Sequence, residues 1–149
     1  MLTRKSKYGL KALVYLSMLE EGEVAMVSDI AAARKIPSKF LEAILVELRN
    51  AGYIASQKGR GGGHRLARPA GDIHLGSVIR VLDGSLAPIP CASRNQYRPC
   101  DDCNVDLCEV RRVMVEVRQA ICDVLDRQTI ADLRGSSELA LLADLSCPD

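Results

Sequence analysis

Four cysteines fall within one short stretch of the chain, Cys91, Cys100, Cys103 and Cys108, separated by eight, two and four residues. The residues between them are mostly polar and include Pro99, so these thiols do not read as ordinary core hydrophobes. In a reducing compartment, disulfides are an unlikely purpose for such crowding, which leaves metal or redox chemistry. Structural zinc favours two close cysteine pairs, and only Cys100 and Cys103 form one. An iron–sulfur cluster tolerates wider and uneven spacing, and four thiolates suffice for either the 2Fe–2S or the 4Fe–4S type. A bare thiol switch, with no metal, is the third possibility. Cys122 lies within a helical pattern and reads as packing, and Cys147 lies near the end of the chain. No Ser, His and acid constellation stands out, and Asp101 and Asp102 have no geometry suited to acid–base work, so an enzyme is not expected.

The elements around this loop point to a partner. The chain has 149 residues, of which 48% are hydrophobic, enough for a packed core. Tryptophan is absent and only 3% of residues are aromatic, which excludes stacking on bases as the main mode of binding. The net charge of +1 conceals a division: residues 1–68 carry twelve Lys or Arg against six acids, and residues 69–149 carry eight against thirteen. A basic segment of +6 joined to an acidic one of −5 suits a head that meets a polyanion. No long uncharged apolar run occurs, and Arg4, Lys5, Lys7 and Lys11 interrupt the N-terminus, so a cytoplasmic protein with no membrane partner is expected.

Within the basic segment, hydrophobic period predicts three helices. The first follows Thr3 or Ser6 and is closed by Gly22; the second opens at Ser28 as N-cap and ends near Arg34 and Lys35. After Ile36-Pro37-Ser38, the third runs from about Lys39 to Asn50, with Leu41, Ile44, Leu45 and Leu48 on one face and Gly52 as its stop. Lys39, Glu42, Ala43 and Arg49 lie on the opposite face, available to an external partner. Two short helices across a tight break fit a helix-turn-helix. Two strands, Tyr53 to Lys58 and His64 to Arg68, enclose a glycine-rich loop and read as a wing. The glycines would let the backbone approach DNA, and Lys58, Arg60, Arg65 and Arg68 would meet phosphates or a narrow minor groove. The glycines neither follow the dinucleotide-binding spacing nor open a helix, which removes that reading.

Beyond the wing, Leu75, Val78, Ile79 and Leu82 mark a short helix ended by Gly84. Val110, Val113, Met114, Val117, Ile121, Val124 and Leu125 form an apolar stripe on a long helix, which is expected to pack against the same helix of a second subunit. A further short helix is expected around Glu138 to Leu145.

The expected architecture is mainly α with a small β-wing: a winged helix-turn-helix plus a long C-terminal dimerisation helix. Its segments are a DNA-binding head (1–68), a linker with a short helix (69–90), a cysteine-rich sensor loop (91–108), a dimerisation helix with a closing segment (109–133) and a tail (134–149). The expected function is a homodimeric regulator of transcription that binds palindromic double-stranded DNA and responds to redox or iron–sulfur state. The alternatives are an electron-transfer module whose head binds protein, and a DNA binder with structural zinc.

Leu2-Thr3 with Tyr8-Gly9-Leu10, Asp29-Ile30-Ala31, Phe40-Leu41-Glu42, Leu48 to Ile54, the wing Lys58 to Arg68, and Thr129-Ile130-Ala131-Asp132-Leu133 together resemble the Rrf2 family of bacterial winged helix-turn-helix regulators. The resemblance spans about residues 2–133. It implies a dimer with the third helix in the major groove and the wing in the minor groove. Lys39, Glu42 and Ala43 would then read bases, with Ser28 and Ser38 at the helix starts beside them. Lys58 and Arg60 would form the wing tip with Arg65 nearby, and Thr3, Lys5 and Tyr8 would contact the DNA backbone. It also implies a cluster held by three loop cysteines and a fourth, non-cysteine ligand. At the corresponding places this chain has Arg111 and Lys7, which cannot ligate as cations, so Cys100 or Cys103 would supply the fourth ligand.

Overall fold

The computed structural model describes residues 2–102 and 104–135. The elements are α1 (Arg4–Leu16), α2 (Val27–Arg34), α3 (Ser38–Asn50), β1 (Ile54–Gln57), β2 (Gly63–Leu66), α4 (Leu75–Asp83), α5 (Glu109–Leu125) and α6 (Ile130–Gly135), with single 3-10 turns at Ala70–Asp72, Pro90–Ala92 and Val105–Leu107. This is a mainly helical fold with one small antiparallel sheet. The helix expected around Glu138 to Leu145, and Cys147, lie outside the described residues.

Helix α1 runs through the centre of the head. Thr3 caps it, its hydroxyl accepting the Lys5 N–H at 3.2 Å. Gly9 lets α4 cross closely, because a Cβ there would stand 2.4 Å from Leu82 Cδ1. The helix stops at Leu16, well short of Gly22. Ser17 folds its hydroxyl onto the Val14 carbonyl at 2.7 Å, and Arg134 Nη1 satisfies the Ser17 carbonyl at 2.6 Å. Gly22 instead serves a later turn at φ +86°. One of the carbonyls left open at the end of α1 is thus satisfied by a residue more than a hundred positions away, a contact local patterning cannot register.

Helix α2 begins one residue earlier than Ser28. Asp29 reaches back to accept the Met26 N–H at 3.2 Å, and Ser28 stands exposed in the first turn. Lys35 closes the helix in the left-handed conformation, φ +53°. Leu41, Ile44, Leu45 and Leu48 of α3 are all buried, as their spacing predicts, and pack with Leu13, Ile30, Tyr53 and Ile54.

In the wing, Ile54 pairs with Leu66 and Gln57 with Gly63. Gly59 and Gly61 take positive φ in open space, while Gly62 and Gly63 lie against the protein's own backbone. A Cβ on Gly62 would lie 2.3 Å from the Gln57 carbonyl oxygen, and one on Gly63 2.7 Å from that of Ala25. Ala25 and His64 exchange backbone hydrogen bonds at 2.9 and 2.8 Å, fastening the wing to the α1–α2 connection.

The chain returns to the head after α5. Ile130 is fully buried and its N–H donates to the Ile73 carbonyl at 2.9 Å. Asp132 accepts from the Thr129 N–H and hydroxyl, while the Asp132 N–H donates to the Thr129 hydroxyl. This reciprocal cap gives the Thr129–Leu133 motif its physical reason. Thr129 correspondingly holds the Asp132 carboxyl below its usual range. No helix among the described residues is long and apolar enough to cross a membrane.

Candidate nucleic-acid interface and thiol loop

Burying the leucine stripe of α3 turns Lys39, Phe40, Glu42, Ala43, Val46 and Arg49 to the surface. Phe40 and Val46, each 44% exposed, were not among the expected reading residues. Apolar side chains exposed on a helix face are of the kind that can meet a thymine methyl. Ser38 is the exposed first residue of α3.

Between α3 and the wing lies a shallow groove lined by Val27, Glu42, Val46, Arg49, Ser56 and His64. Ser56 Oγ sits 2.9 Å from His64 Nδ1. Burial, and secondarily the Arg49 guanidinium, push the His64 imidazole below its usual range. The folded protein therefore binds fewer protons here than the unfolded chain. The stability this confers is present above the ordinary histidine value of about 6.5 and is lost as pH falls through the lower folded value. Urea titrations are expected to show stability declining below about pH 6.5, with the decline reduced in His64→Gln. An unchanged profile in that variant would remove His64 as its origin.

Lys58, Arg60 and Arg65 are exposed on the wing. Arg68 is engaged instead, its Nε donating to the Gly52 carbonyl at 3.1 Å and its guanidinium lying 5.1 Å from the Tyr53 ring centre. For the Lys58→Ala, Arg60→Ala double variant, the slope of log affinity for DNA against log salt should be shallower by about 0.9 per phosphate contact removed. Fluorescence anisotropy across a salt series measures this, and an unaltered slope would show that the wing tip makes no phosphate contact.

The N-terminal residues expected on the DNA backbone are largely engaged within the protein. The Thr3 N–H and hydroxyl donate to Asp83 at 2.8 and 2.6 Å. Lys5 Nζ bridges the Glu47 carboxylate at 2.7 Å and the Leu82 carbonyl at 2.9 Å. Burial is the largest influence on Asp83 and would raise its pKa, but the bonds from Thr3 and the nearby Lys5 charge hold it low. Tyr8 is half-buried and meets Phe40 edge to face, ring centres 5.8 Å apart. These contacts tie the start of α1 to α3 and to the end of α4.

In the loop, Cys91 occupies the Pro90–Ala92 turn and is buried, while Cys100 and Cys108 are half-buried. Burial pushes the Cys91 thiol up, reinforced by its hydrogen bond with Cys100 and by the nearby Cys108. The fold thus sets Cys91 against Cys100, with Cys108 near enough to act on it through charge; Cys103 lies outside the described residues. Among the described residues no group of three or more His, Cys, Asp or Glu side chains has the arrangement of a metal site. Cys108 also caps α5, its Sγ accepting the Arg111 N–H at 3.4 Å. Arg111 Nε donates to the Cys91 carbonyl at 3.0 Å, and Arg118 donates to that of Ala92. Arg111 is therefore a fastener between loop and helix. Cys122 is separate, on the α4–α5 junction, where Arg80 Nη2 donates to it at 3.4 Å.

Helix α5 divides its faces. Val110, Val113, Val117 and Val124 are exposed, and with exposed Ala120 they repeat at alternating three- and four-residue intervals. Met114 and Ile121 flank this seam, half-buried. Leu125, expected on the same stripe, packs against the core of its own head.

The family model described as Rrf2, iron-dependent transcriptional regulator, matches residues 2–135. The chain is 38% identical over 150 residues to an rrf2-like HTH-type transcriptional regulator of Rhodobacter capsulatus, covering 97% of this chain and all of that one. It is 35% identical to the HTH-type transcriptional regulator NsrR of Geobacillus kaustophilus, covering 89% and 88% of the two chains. Among solved structures, CymR, the global cysteine regulator of B. subtilis, superposes with a TM-score of 0.75 at 27% identity, covering 93% of this chain and 98% of that one. T. potens IscR gives 0.72 at 29% identity, covering 96% and 92%. These relatives are transcriptional regulators and not enzymes. The chain belongs to the Rrf2 family of DNA-binding transcriptional regulators.

Proposed function

We propose that the protein is a homodimeric regulator whose affinity for a palindromic operator is governed by the state of Cys91, Cys100, Cys103 and Cys108. The observation that carries this reading is the buried Cys91, hydrogen-bonded to Cys100, in the Pro90–Ala92 turn that Arg111 of α5 fastens to the helix Cys108 caps. A thiol that burial keeps protonated gives up its proton only to a strongly thiophilic metal, and four cysteine donors on one loop suit an iron–sulfur cluster. When bound, a cluster supplies a centre sensitive to oxidation and to small reactive ligands. That the family description names iron and that NsrR and IscR are relatives supports the same reading.

The chain's own residues give a route from loop to head. The Cys91 and Ala92 carbonyls hold Arg111 and Arg118, so the setting of the Pro90–Ala92 turn governs the tilt of α5. At its far end, Asp126 takes two hydrogen bonds from Arg80 of α4, at 2.6 and 2.8 Å, which keep its carboxyl below the usual range. Helix α4 packs on α1 and α3, and the seam of α5 would carry the same shift to a second subunit.

The test is anaerobic purification with iron and sulfide analysis, visible absorption and DNA binding before and after oxidation. Wild type should bind iron and change its DNA affinity about 5- to 150-fold. The protein with all four cysteines replaced by Ser should do neither. DNA affinity insensitive both to oxidant and to these replacements would refute the coupling, whereas zinc without visible absorption would assign a structural metal.

A further inference from the structure

A cavity of about 400 Å³ opens between the end of α4, the segment around Ser93 to Gln96, and the face of α5 turned away from the valine seam. Its size falls within the range of sites for small molecules. None of Cys91, Cys100 and Cys108 lines it, and it is remote in the fold from the reading face of α3.

Its charge is out of proportion to its surroundings. Residues 69–149 hold thirteen acids against eight cations, yet the cavity wall carries three of those cations, Arg80, Arg94 and Arg118, and one acid, Asp126. Two of the guanidiniums are committed. Arg80 binds Asp126 and Cys122, and Arg118 binds the Ala92 carbonyl. Arg94 makes no hydrogen bond or ion pair among the described residues. The wall beside it is fixed: Ser85 Oγ donates to Ser93 Oγ at 2.8 Å, and Ser93 Oγ accepts the Gln96 N–H at 3.0 Å. Gln96 lays its side-chain amide across Gly84, where a Cβ would stand 3.1 Å from it.

We propose that this cavity binds a small organic carboxylate. Arg94 is the anchoring cation, because a guanidinium offers a carboxylate two parallel donors. Asn95 and Gln96, also in the cavity wall, supply polar side chains for the remainder of a polar ligand. A single carboxylate fits better than a phosphate dianion, since only one guanidinium, that of Arg94, is uncommitted and its two parallel donors match one carboxylate. The ligand would bridge the segment following Ala92 and α5, the two parts whose relation Arg118 already fixes, through contacts that use none of the loop thiols.

Isothermal titration calorimetry on the full chain tests this, with sodium salts of two- to six-carbon hydroxy and amino carboxylic acids, and inorganic phosphate at matched ionic strength. At least one carboxylate should bind saturably, and Arg94→Ala should weaken it about tenfold or more, the loss of a charge-assisted contact. Arg94 is exposed and supports no other group, so this variant should fold as wild type. Binding should persist in the Cys91→Ser, Cys100→Ser, Cys108→Ser variant, which separates the site from the thiol reading. No saturable binding across the set, equal affinity in Arg94→Ala, or phosphate binding as tight as the best carboxylate would each overturn the proposal.

Discussion

Leu48→Ala should lower the stability of the protein by about 2–5 kcal/mol, with a matching loss of DNA binding near physiological temperature. Leu48 is wholly inaccessible to solvent, and it sits in the last turns of α3 where the helix packs against the start of the wing. Its carbonyl accepts the Tyr53 N–H at 2.9 Å, so the chain that leaves α3 for β1 is anchored at this residue. Truncation leaves a cavity within a close-packed core cluster, which places the cost above the transfer free energy of the lost methyl groups alone. Domains of this size are stable by about 5–15 kcal/mol, so the loss is a large fraction of the total. Val46→Ala, two residues away on the exposed face, is the matched control: stability within about 0.5 kcal/mol of wild type but altered DNA affinity. Urea unfolding should show the midpoint moving with an unchanged slope. A Leu48→Ala protein as stable as wild type would mean that α3 is not held by its leucine stripe.

The parts of the fold legible in the sequence are those decided by neighbours along the chain. The buried stripe of α3 follows from a period of 3.6 residues, and Gly52 and Gly84 mark ends that need positive φ, +78° and +86°. The wing follows from two short strands around glycines. What escaped such reading depends on partners distant in sequence. Lys5 has the charge of a phosphate contact, and nothing local reveals that Glu47 and the Leu82 carbonyl hold its ammonium. The glycines of the wing are expected to leave room for DNA, and nothing local reveals that Gly63 also makes room for the carbonyl of Ala25, far back along the chain. For the thiol loop, spacing alone gave the crowding of sulfurs but not the guanidinium of Arg111 on the Cys91 carbonyl. Leu125 shares a helical stripe with Val117 and Val124, but the turn of the chain back to Ile130 draws it to the head.

That separation of faces on α5 makes Val117→Glu the sharpest test of the dimer. The seam formed by Val110, Val113, Val117, Ala120 and Val124 has the alternating three–four spacing with which one helix packs along another. Val117 is its middle member and is 38% exposed in the single chain, so a carboxylate there is hydrated in a monomer and helix α5 should still form. In a two-fold dimer each seam residue lies near its counterpart, and two carboxylates would be brought together in an apolar, poorly hydrated strip. The costs of desolvation and like-charge repulsion then act on the dimer alone. Analytical ultracentrifugation should find wild type dimeric and Val117→Glu monomeric at micromolar concentration, with the same far-ultraviolet circular dichroism. Affinity for a two-half-site operator should fall about 10²-fold or more, because the second head no longer benefits from the first, while affinity for a single half-site should stay near wild type. Arg112→Glu, exposed on the same helix but off the seam, controls for the added negative charge. A variant that remained dimeric, or that lost half-site binding to the same extent, would show that the valine seam does not join two subunits.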